Sequence, residues 1–273
     1  MRIACCLMVK NEEAVIGEWI AYHHLLGFDA FIIVDHMSTD NTKLAAAKMQ
    51  DITTVHVLDE QGQPPELQKR VYMDVIAAFQ DQYDWIAFID SDEFIASSVS
   101  LEIRSLLENT SASGIAIPWL IFGSNGLKER GSGLLIEEFD RRSPPSFQPN
   151  LHVKSIVRPK AVVSCINAHC FKLDGDYVRP DGTRLTWGRG PGLLETFPED
   201  TAWQVNHYYT RSRGDWARRM NRGQLGQFVR TWAEFDAYDK NDLLDLTAKR
   251  RSDEVRTLLE RVDTSSKSGD VVA

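Results

Sequence analysis

The sequence predicts an α/β protein with a mostly parallel central sheet and helices on both faces. In the first ninety residues, short β-rich apolar segments alternate with segments whose apolar residues recur at helical spacing. Acidic residues follow directly after two of the predicted strands. Alternating strands and helices are typical of parallel sheets, in which ligands bind at the carboxyl ends of the strands.

Four strands and three helices are predicted in this first part. The strands are Ile3–Val9, 30–34, 53–58 and 85–89, all rich in apolar residues. The helices are 13–26, a short one that follows the capping residues 38–42, and one from after Pro65 to about Gln80. Val15, Ile16 and Trp19 give the first helix its apolar face, and Glu13 lies in its first turn, where an acidic residue suits the helix dipole.

The pattern loosens after Glu93. In order, the predicted elements are a helix 100–108, a strand 115–122, a hairpin of 153–157 and 161–166, a loop 174–200, a strand or turn 203–209, and helices at about 214–234 and 241–262. One α/β domain is therefore expected over 1–235, with halves 1–95 and 96–235. A C-terminal helical extension over 236–263 and a disordered tail over 264–273 complete the expected organisation.

Composition restricts the class of partner. The 273 residues carry a formal net charge of −8, which argues against a general nucleic-acid-binding surface. No apolar run approaches the roughly 18 residues that span a bilayer, and residues 1–10 predict a strand rather than a signal peptide. The 4 cysteines show no C-x-x-C spacing, and Cys5 and Cys6 should point to opposite faces of a strand. A reduced, cytoplasmic protein is the expectation.

The D-x-D turn (residues 90–92, extended by Glu93) follows the fourth predicted strand. Negative charge at the end of a buried strand is costly unless a cation neutralises it, and Asp90 and Asp92 are spaced to bind one divalent ion together with substrate phosphates. The alternative is that these residues cap a strand in a solvated turn. Asp35 follows the second strand. If the strand order is 3-2-1-4, the two acidic exits lie roughly 10 Å apart, a gap that a nucleotide can bridge.

Several segments occur together in an order and spacing shared with one group of enzymes. They are Asn11-Glu12, Glu18-Trp19-Ile20 with His23, Val34 to Asp40, Asp90 to Phe94, Trp119 with Phe122-Gly123-Ser124, Lys154 to Pro159, His169 to Phe171 and Asn206 to Ser212. Over roughly residues 1–225 the chain thereby resembles the GT-A-fold glycosyltransferases, in particular the family-2-like and family-92-like branch with a D-x-D-E-F motif. The resemblance implies a Rossmann-like GT-A fold, with 1–95 as the nucleotide-binding half and 96–235 as the acceptor half.

The resemblance also implies which residues hold the donor. Asp90, Asp92 and His207 are the expected ligands of Mn²⁺ or Mg²⁺, although His207 could instead be a packed, hydrogen-bonded histidine. The nucleotide-sugar is expected to contact Asn11, Asp35, His36, Ser38, Asp90, Lys154, Arg211 and Arg213. Which of Asp35 and His36 meets the base is open, because His36 stands where many family-2-like enzymes have a second Asp.

Arg211 and Arg213 are selected for the diphosphate because they lie nearest His207 in the sequence. The other members of the same basic cluster, Arg218, Arg219 and Arg222, are assigned to a solvated helix face.

Four residues are candidates for the catalytic base. Inverting transfer, expected in preference to retaining transfer, needs a carboxylate or imidazole within reach of the acceptor hydroxyl. Glu93, Asp181, Glu195 and His169 all qualify. Glu195 is selected because its loop is expected to flank the acceptor, and His169 because it lies in one of the segments that carry the resemblance.

The expected function is metal-dependent hexosyl transfer from a nucleotide-sugar, with a UDP-sugar as donor, to a glycan or lipid-linked acceptor in bacterial surface glycan synthesis. Contact with the inner face of the membrane is expected to be peripheral at most. Two alternatives stay open: a nucleotidyltransferase, although no Gly-rich phosphate loop follows the first strand, and a non-catalytic carbohydrate- or nucleotide-binding protein on the same fold. The oligomeric state is not predicted.

Overall fold

The computed structural model describes residues 1–63, 66–100, 102–108, 110–197, 201–221 and 230–269. Its first half builds one side of the sheet from parallel strands β1 (Ile3–Val9), β2 (Ala30–His36), β3 (Thr54–Glu60) and β4 (Trp85–Phe88), in the order β3-β2-β1-β4. Helices α1 (Glu13–Leu25), α2 (Thr42–Lys48) and α3 (Leu67–Phe79) connect them. The predicted strand order and alternation are confirmed, so the carboxyl ends of these strands meet along one edge.

The second half extends the sheet with strands that run in both directions. Its strands are β5 (Glu93–Ser97), β6 (Gly114–Ile121), β7 (Arg141–Arg142), β8 (Val153–Val157), β9 (Val162–Asn167), β10 (Cys170–Leu173), β11 (Tyr177–Val178), β12 (Trp203–His207) and β13 (Leu243–Leu244). Its helices are α4 (Arg104–Leu107), α5 (Leu135–Glu138), α6 (Arg213–Asn221), α7 (Trp232–Tyr238) and α8 (Ser252–Gly269).

The main sheet continues from β4 in the order β8-β6-β12-β5, with β11 against β6. β8 is antiparallel to both of its neighbours, whereas β12 and β11 are parallel to β6. Within the main sheet, five strand pairs are parallel and three are antiparallel, which confirms the predicted α/β class with a mostly parallel sheet and C-terminal helices. None of the helices in the described ranges is long and apolar enough to cross a membrane.

The sheet curls because the D-x-D turn joins two strands that are distant in sheet order. Only four residues separate the end of β4 from the start of β5, yet β8, β6 and β12 lie between these two strands in the sheet. The Glu93 N–H donates to the Asp90 carbonyl at 3.0 Å, so the connection is a tight turn. A flat sheet would separate the two strands by about 19 Å, farther than a closed turn of this length reaches.

β1 divides the apolar core between the two faces of the sheet. Ile3, Cys5 and Leu7 belong to the larger cluster, on the side of α1 and α8, whereas Ala4 and Cys6 belong to a second cluster on the side of α3. This division follows from the period of two along a strand. It confirms that Cys5 and Cys6 point to opposite faces, where both are buried free thiols.

The predicted hairpin of 153–157 and 161–166 is wrong. β8 pairs with β4 and β6, and β9 pairs instead with β10. Pro159 begins a short 3₁₀ helix that takes the chain out of the main sheet, since its ring removes the N–H that a strand ladder needs. The actual hairpin turns at Ala168 and His169, and the Ser155 hydroxyl donates to the His169 carbonyl at 2.6 Å, so His169 lies beside β8.

The C-terminal extension differs from the prediction in its bounds. The helix expected over 241–262 begins only at Ser252, because residues 243–244 pair with β7 and residues 249–251 form a 3₁₀ helix. The tail expected to be disordered from Thr264 is helical to Gly269, and the Thr264 hydroxyl donates to the Glu260 carbonyl at 3.0 Å. Residues 270–273, and residues 222–229 of the predicted helix 214–234, lie outside the described residues.

Glu18 ties α1 to α5 from inside the core. Its two oxygens accept hydrogen bonds from the N–H groups of Leu135 at 2.7 Å and Ile136 at 3.0 Å. Burial raises the pKa of Glu18 to about 7, although these two bonds and the charges of Arg130 and Arg211 oppose the shift. The folded state therefore keeps a proton that the unfolded chain releases, and stability is lost as pH rises through this interval.

We expect Glu18→Gln to remove this pH dependence. From pH 4.5, the ordinary pKa of the group, to about pH 7, the wild-type free energy of unfolding should fall by about 1–3 kcal/mol relative to the variant, since one pKa unit corresponds to about 1.4 kcal/mol. Urea denaturation at half-unit pH steps measures the difference. Glu13→Gln, at an exposed carboxylate of the same helix, should follow the wild type. A difference between wild type and Glu18→Gln that stays constant over this interval would contradict the assignment.

Candidate active site

The D-x-D turn is held at the strand ends by the indole of Trp19. Trp19 is fully buried on α1, and its Nε1 donates to the carbonyls of Asp90 at 3.1 Å and Glu93 at 2.9 Å. Because the Asp90 carbonyl also accepts from the Glu93 N–H, the indole adds a second link between the two ends of the turn. The core face of α1 thereby fixes the position of the acidic side chains.

Lys154 forms ion pairs with two acidic residues of the D-x-D turn, Asp90 and Glu93. It projects from β8, is buried, and places Nζ 2.7 Å from Asp90 Oδ2 and 3.3 Å from Glu93 Oε2. Burial would lower the pKa of Lys154, but Asp90 and Glu93 outweigh it and the pKa is raised. The sequence predicted Lys154 at the diphosphate. In the structure its partners are the acidic residues themselves.

Glu93 is the most deeply buried carboxyl of the group. Its side chain is fully buried, and Oε2 accepts a hydrogen bond from the Asp90 N–H at 2.8 Å. Burial raises the pKa of Glu93 well above its ordinary value; Lys154 opposes the shift, whereas Asp90 and Asp92 add to it. Glu93 therefore holds its proton more strongly than an ordinary glutamate does.

Asp92 is bound by a guanidinium that the sequence assigned elsewhere. Arg219 donates from Nη2 to Asp92 Oδ2 and from Nη1 to the Tyr209 carbonyl at 2.6 Å. His207 Nε2 lies 3.6 Å from Asp92 Oδ1. Burial would raise the pKa of Asp92, but Arg219 and His207 outweigh it and hold the pKa well below its usual range. Asp92 is therefore an ionised carboxylate with a guanidinium as its counter-ion.

Arg219 corrects the assignment of this residue to a solvated face. It is buried on α6, three residues after the buried Trp216, whereas the neighbouring Arg218 is exposed as predicted. The i, i+3 spacing from Trp216 is the sequence signal that could have identified the buried position. Arg222 lies outside the described residues.

His207 and Glu93 face each other without a bond. His207 Nδ1 lies 3.9 Å from Glu93 Oε1, and neither atom has a hydrogen-bond partner among the described residues. Burial lowers the pKa of His207, although Asp92 opposes the shift, so the ring is neutral at neutral pH. In the described ranges, no group of three or more His, Cys, Asp or Glu side chains is arranged to hold a metal ion. The structure brings Asp92 and His207 together. The cations paired with Asp90 and Asp92 are, however, side chains of the protein, Lys154 and Arg219.

Arg211 is a second buried guanidinium at this site. Its Nη1 lies 2.7 Å from Glu12 Oε2, while Nε and Nη2 are buried with no hydrogen-bond partner among the described residues. Burial would lower the pKa of Arg211, but Glu12 and Asp92 raise it. Arg213, the other arginine selected from the sequence, lies outside the site: it is exposed and stacks 4.6 Å over the ring of Trp232.

The exits of β1 and β2 form a second, rigid part of the site. Asn11 N–H donates to Ser38 Oγ at 2.9 Å, and Ser38 N–H donates to Asp35 Oδ2 at 3.0 Å. Both Asn11 (φ 52°) and Met37 (φ 56°) adopt the left-handed conformation, which is uncommon outside glycine and concentrates at functional sites. Asp35 Oδ1 is buried and has no hydrogen-bond partner in the described part of the chain.

His36 does not share this position with Asp35. Successive strand residues point to opposite faces, and His36 Nε2 donates to the Gly62 carbonyl at 2.9 Å. This separation favours Asp35 over His36 as the residue that faces a bound base or ribose.

Three imidazoles surround Trp119 next to the D-x-D turn. The Trp119 ring lies 4.3 Å from His207, 4.9 Å from His152 and 5.0 Å from His169. His169 Nδ1 bonds to the Val153 carbonyl at 3.1 Å, and since a carbonyl only accepts, Nδ1 carries the proton and Nε2 the lone pair. Burial lowers the pKa of His169 to about 3, with Lys154 adding to the shift. Sequence reasoning missed His152, which no segment of the resemblance contains.

Glu195 is not brought into this group. Its side chain is exposed, and no hydrogen bond or ion pair joins it to the D-x-D turn among the described residues. Its loop does approach the histidines, because His152 forms an isolated bridge with Leu193. Of the two residues predicted as catalytic base, only His169 lies at the site, where its ring packs against Trp119.

The sequence of the chain is similar to known glycosyltransferases. A model of glycosyltransferase family 92 matches residues 2–181. A glycosyltransferase family 92 protein of Ricinus communis is 27% identical over 228 residues, which are 80% of this chain and 40% of that protein. One of Oryza sativa subsp. japonica is 27% identical over 175 residues, 62% of this chain and 29% of that protein. The chain thus matches less than half the length of these curated relatives.

Among solved structures, S. aureus TarS in complex with UDP is similar with a TM-score of 0.38 and 17% sequence identity, over 59% of this chain and 48% of that chain.

We expect Lys154→Met to destabilise the fold by about 3 kcal/mol, because it leaves two buried or half-buried carboxyls without their cation. Urea denaturation measures the loss. Glu93→Gln in the Lys154→Met background should restore part of it, since the uncompensated carboxyl is then removed. Lys160→Met removes an exposed ion pair with Asp81 at 2.9 Å and should leave the free energy of unfolding nearly unchanged. Equal losses for Lys154→Met and Lys160→Met would contradict this account.

Proposed function

The chain belongs to glycosyltransferase family 92, and we propose that it transfers a sugar from a nucleotide-sugar, with a UDP-sugar as donor, to an acceptor hydroxyl. The observation that carries this proposal is a set of buried guanidinium donors beside the D-x-D turn. Arg211 Nε and Nη2 and Arg219 Nε have no hydrogen-bond partner among the described residues. Such donors suit the oxygens of a diphosphate, whose negative charge grows as it leaves the sugar.

The nucleoside is proposed to bind at the exits of β1 and β2. Asp35 Oδ1 is a buried acceptor with no partner in the described ranges, so it can accept from a base imide or a ribose hydroxyl. Asn11 and Ser38 already hydrogen-bond each other, which fixes the backbone around this acceptor. The strand order separates this acceptor from the D-x-D turn by two strand spacings, roughly 10 Å, and a nucleoside diphosphate can cover that distance.

A divalent metal ion at the D-x-D turn stays a prediction from the sequence. Asp90 Oδ2 accepts from Lys154 at 2.7 Å, and Asp92 Oδ2 accepts from Arg219. With these bonds the donor set does not fit a metal ion unless a side chain moves. Arg211 and Arg219 are therefore proposed to stabilise the charge of the leaving diphosphate by hydrogen bonds and by their net charge.

His169 is proposed, from its position, as the group that accepts the proton of the acceptor hydroxyl in an inverting transfer. Burial and Lys154 lower its pKa to about 3, so it is a weaker base than an ordinary histidine. Its neutral ring presents the Nε2 lone pair, because Nδ1 donates to the Val153 carbonyl. Trp119, against which the ring lies, offers an apolar face for a sugar. Synthesis of a bacterial surface glycan in the cytoplasm, with a glycan or lipid-linked acceptor, stays a prediction of the sequence resemblance.

We expect the protein to bind UDP in a calorimetric titration and to release UDP slowly from a UDP-sugar when no acceptor is present. Arg211→Gln should slow this release about 100-fold, the usual effect of removing one donor to a developing negative charge. Arg184→Gln, at an arginine that is 81% exposed, is the matched control and should behave as wild type. Absence of UDP and GDP binding in folded protein would favour the non-catalytic alternative. Release of pyrophosphate from UTP in the presence of a sugar 1-phosphate would favour a nucleotidyltransferase.

We expect substitution of the two candidate bases, His169 and Glu195, to affect kcat differently when transfer to an acceptor is measured. His169→Gln should lower kcat of transfer by about 100-fold or more while leaving UDP binding intact, because general-base catalysis contributes about that factor. Glu195→Gln tests the other candidate in the same assay. A large loss of kcat in Glu195→Gln, with His169→Gln near wild type, would reverse the assignment.

A further inference from the structure

We propose that a two-stranded ribbon at the edge of the candidate active site binds the surface of an anionic lipid bilayer, with its leucines among the acyl chains and its cations at the headgroups. This leucine ribbon consists of β7, β13 and Leu246, two residues after β13. The inference goes beyond the proposed function and does not depend on it, because binding to lipid vesicles is measured without donor or acceptor.

The leucine ribbon concentrates exposed apolar surface in a short segment. Leu243, Leu244 and Leu246 are 40%, 58% and 48% exposed to solvent. Leu44 and Val163 are exposed to a similar degree, but they lie on separate elements, α2 and β9. Single exposed leucines are normal on a protein surface, whereas a contiguous apolar group marks a surface that binds a partner protein or a membrane.

Both faces of the leucine ribbon are uncovered. β7 and β13 are antiparallel, with Leu243 opposite Arg142 and Leu244 opposite Arg141. Successive residues of a strand point to opposite faces, so Leu243 and Leu244 are exposed on different sides. A folded partner protein covers one face of such a ribbon and leaves the other in water, whereas the acyl region of a bilayer surrounds both. The exposure of both leucines therefore favours a membrane over a protein partner.

Positive side chains flank the leucines. Arg141, Lys240 and Arg250 bond to carbonyls or to an aromatic ring of the chain, and none of them forms an ion pair with another described residue. Asp242 is exposed beside them. The other carboxylates of this region are bonded within the chain, and they are Asp140, Asp239 and Asp245. Cations therefore prevail at the ribbon of a chain whose net charge is −8, and they complement the phosphates of an anionic bilayer.

The leucine ribbon lies at the same end of the sheet as the D-x-D turn. Arg142 forms a bridge with Phe122, and the Phe122 N–H donates to the His207 carbonyl at 2.9 Å. His207 and Leu243 are thereby separated by three strand spacings, roughly 14 Å. Membrane contact at the ribbon would therefore bring the candidate active site close to the lipid headgroups.

The test is co-sedimentation with vesicles of equal amounts of phosphatidylglycerol and phosphatidylcholine. We expect wild type to bind these vesicles and Leu243→Ser/Leu244→Ser to bind at least tenfold more weakly, because about half the surface of each leucine no longer leaves water. Leu44→Ser/Val163→Ser is the matched control, since these side chains are 57% and 53% exposed on other elements and should not contribute. Circular dichroism checks that each variant is folded.

The contribution of the cations is tested with the same vesicles. Arg141→Gln removes a positive charge beside Leu244 and should weaken binding about fivefold, whereas Arg184→Gln, at an arginine that is 81% exposed in another loop, should bind as wild type. Failure of wild type to bind the anionic vesicles would overturn the proposal. So would equal losses for Leu243→Ser/Leu244→Ser and Leu44→Ser/Val163→Ser, because the contact would then lie outside the ribbon.

A fluorescent label locates the leucines without weakening binding by substitution to a polar residue. Leu244→Cys, labelled with nitrobenzoxadiazole in a Cys165→Ser background, should shift its emission to shorter wavelength when the anionic vesicles are added; Leu44→Cys in the same background should not. Cys165 is replaced because it is half-buried, whereas the other three cysteines are buried. A label at position 244 that stays in water on vesicle-bound protein would refute insertion. UDP binding tests the donor site separately, so failure of the proposed function leaves this result unaffected.

Discussion

The site depends on the mutual neutralisation of charges that the fold removes from water. Asp92, Glu93, Lys154 and Arg219 are all buried, and a buried charge without a partner costs several kcal/mol. Their partners come from distant parts of the chain: β8 supplies Lys154 and α6 supplies Arg219. The acidic turn is therefore stable in its buried position only when the second half of the chain is folded around it. Folding of the sheet and assembly of the site are energetically linked.

Two adjacent carboxyls in this turn have opposite protonation preferences because their surroundings differ. Asp92 faces a guanidinium and an imidazole, and its pKa is lowered; Glu93 lies in the core with a lysine shared between two acids, and its pKa is raised. Separation of pKa values within one cluster is a common property of catalytic sites. Asp92 is thus the residue that holds a cation, whereas Glu93 organises the turn by accepting the Asp90 N–H.

Local patterns explain which parts of the molecule the sequence could predict. The strands β1 to β4 were identifiable because each is a continuous apolar segment between helices of clear period, and their order is the one common in doubly wound parallel sheets. β5 was not identified, because Glu93 was interpreted only as part of an acidic cluster and not as the first residue of the next strand. The burial of Arg219 could have been predicted from its spacing to Trp216, but its contact with Asp92 could not, and neither could the contact of His152 with Trp119, since no periodicity along the chain encodes contacts between such distant residues.

The two ends of the proposed donor site differ in how they are built. At the nucleoside end, Asn11, Asp35 and Ser38 are joined by short bonds that involve the backbone, with left-handed residues at both strand exits. At the diphosphate end, the ligating groups are long side chains, Lys154, Arg211 and Arg219, already bonded to carboxylates of the chain. A backbone pocket is preorganised, whereas ion pairs between long side chains can exchange partners at little cost in backbone energy. The proposed donor site is therefore preorganised at its nucleoside end, whereas at its diphosphate end the donors are held by ion pairs within the chain.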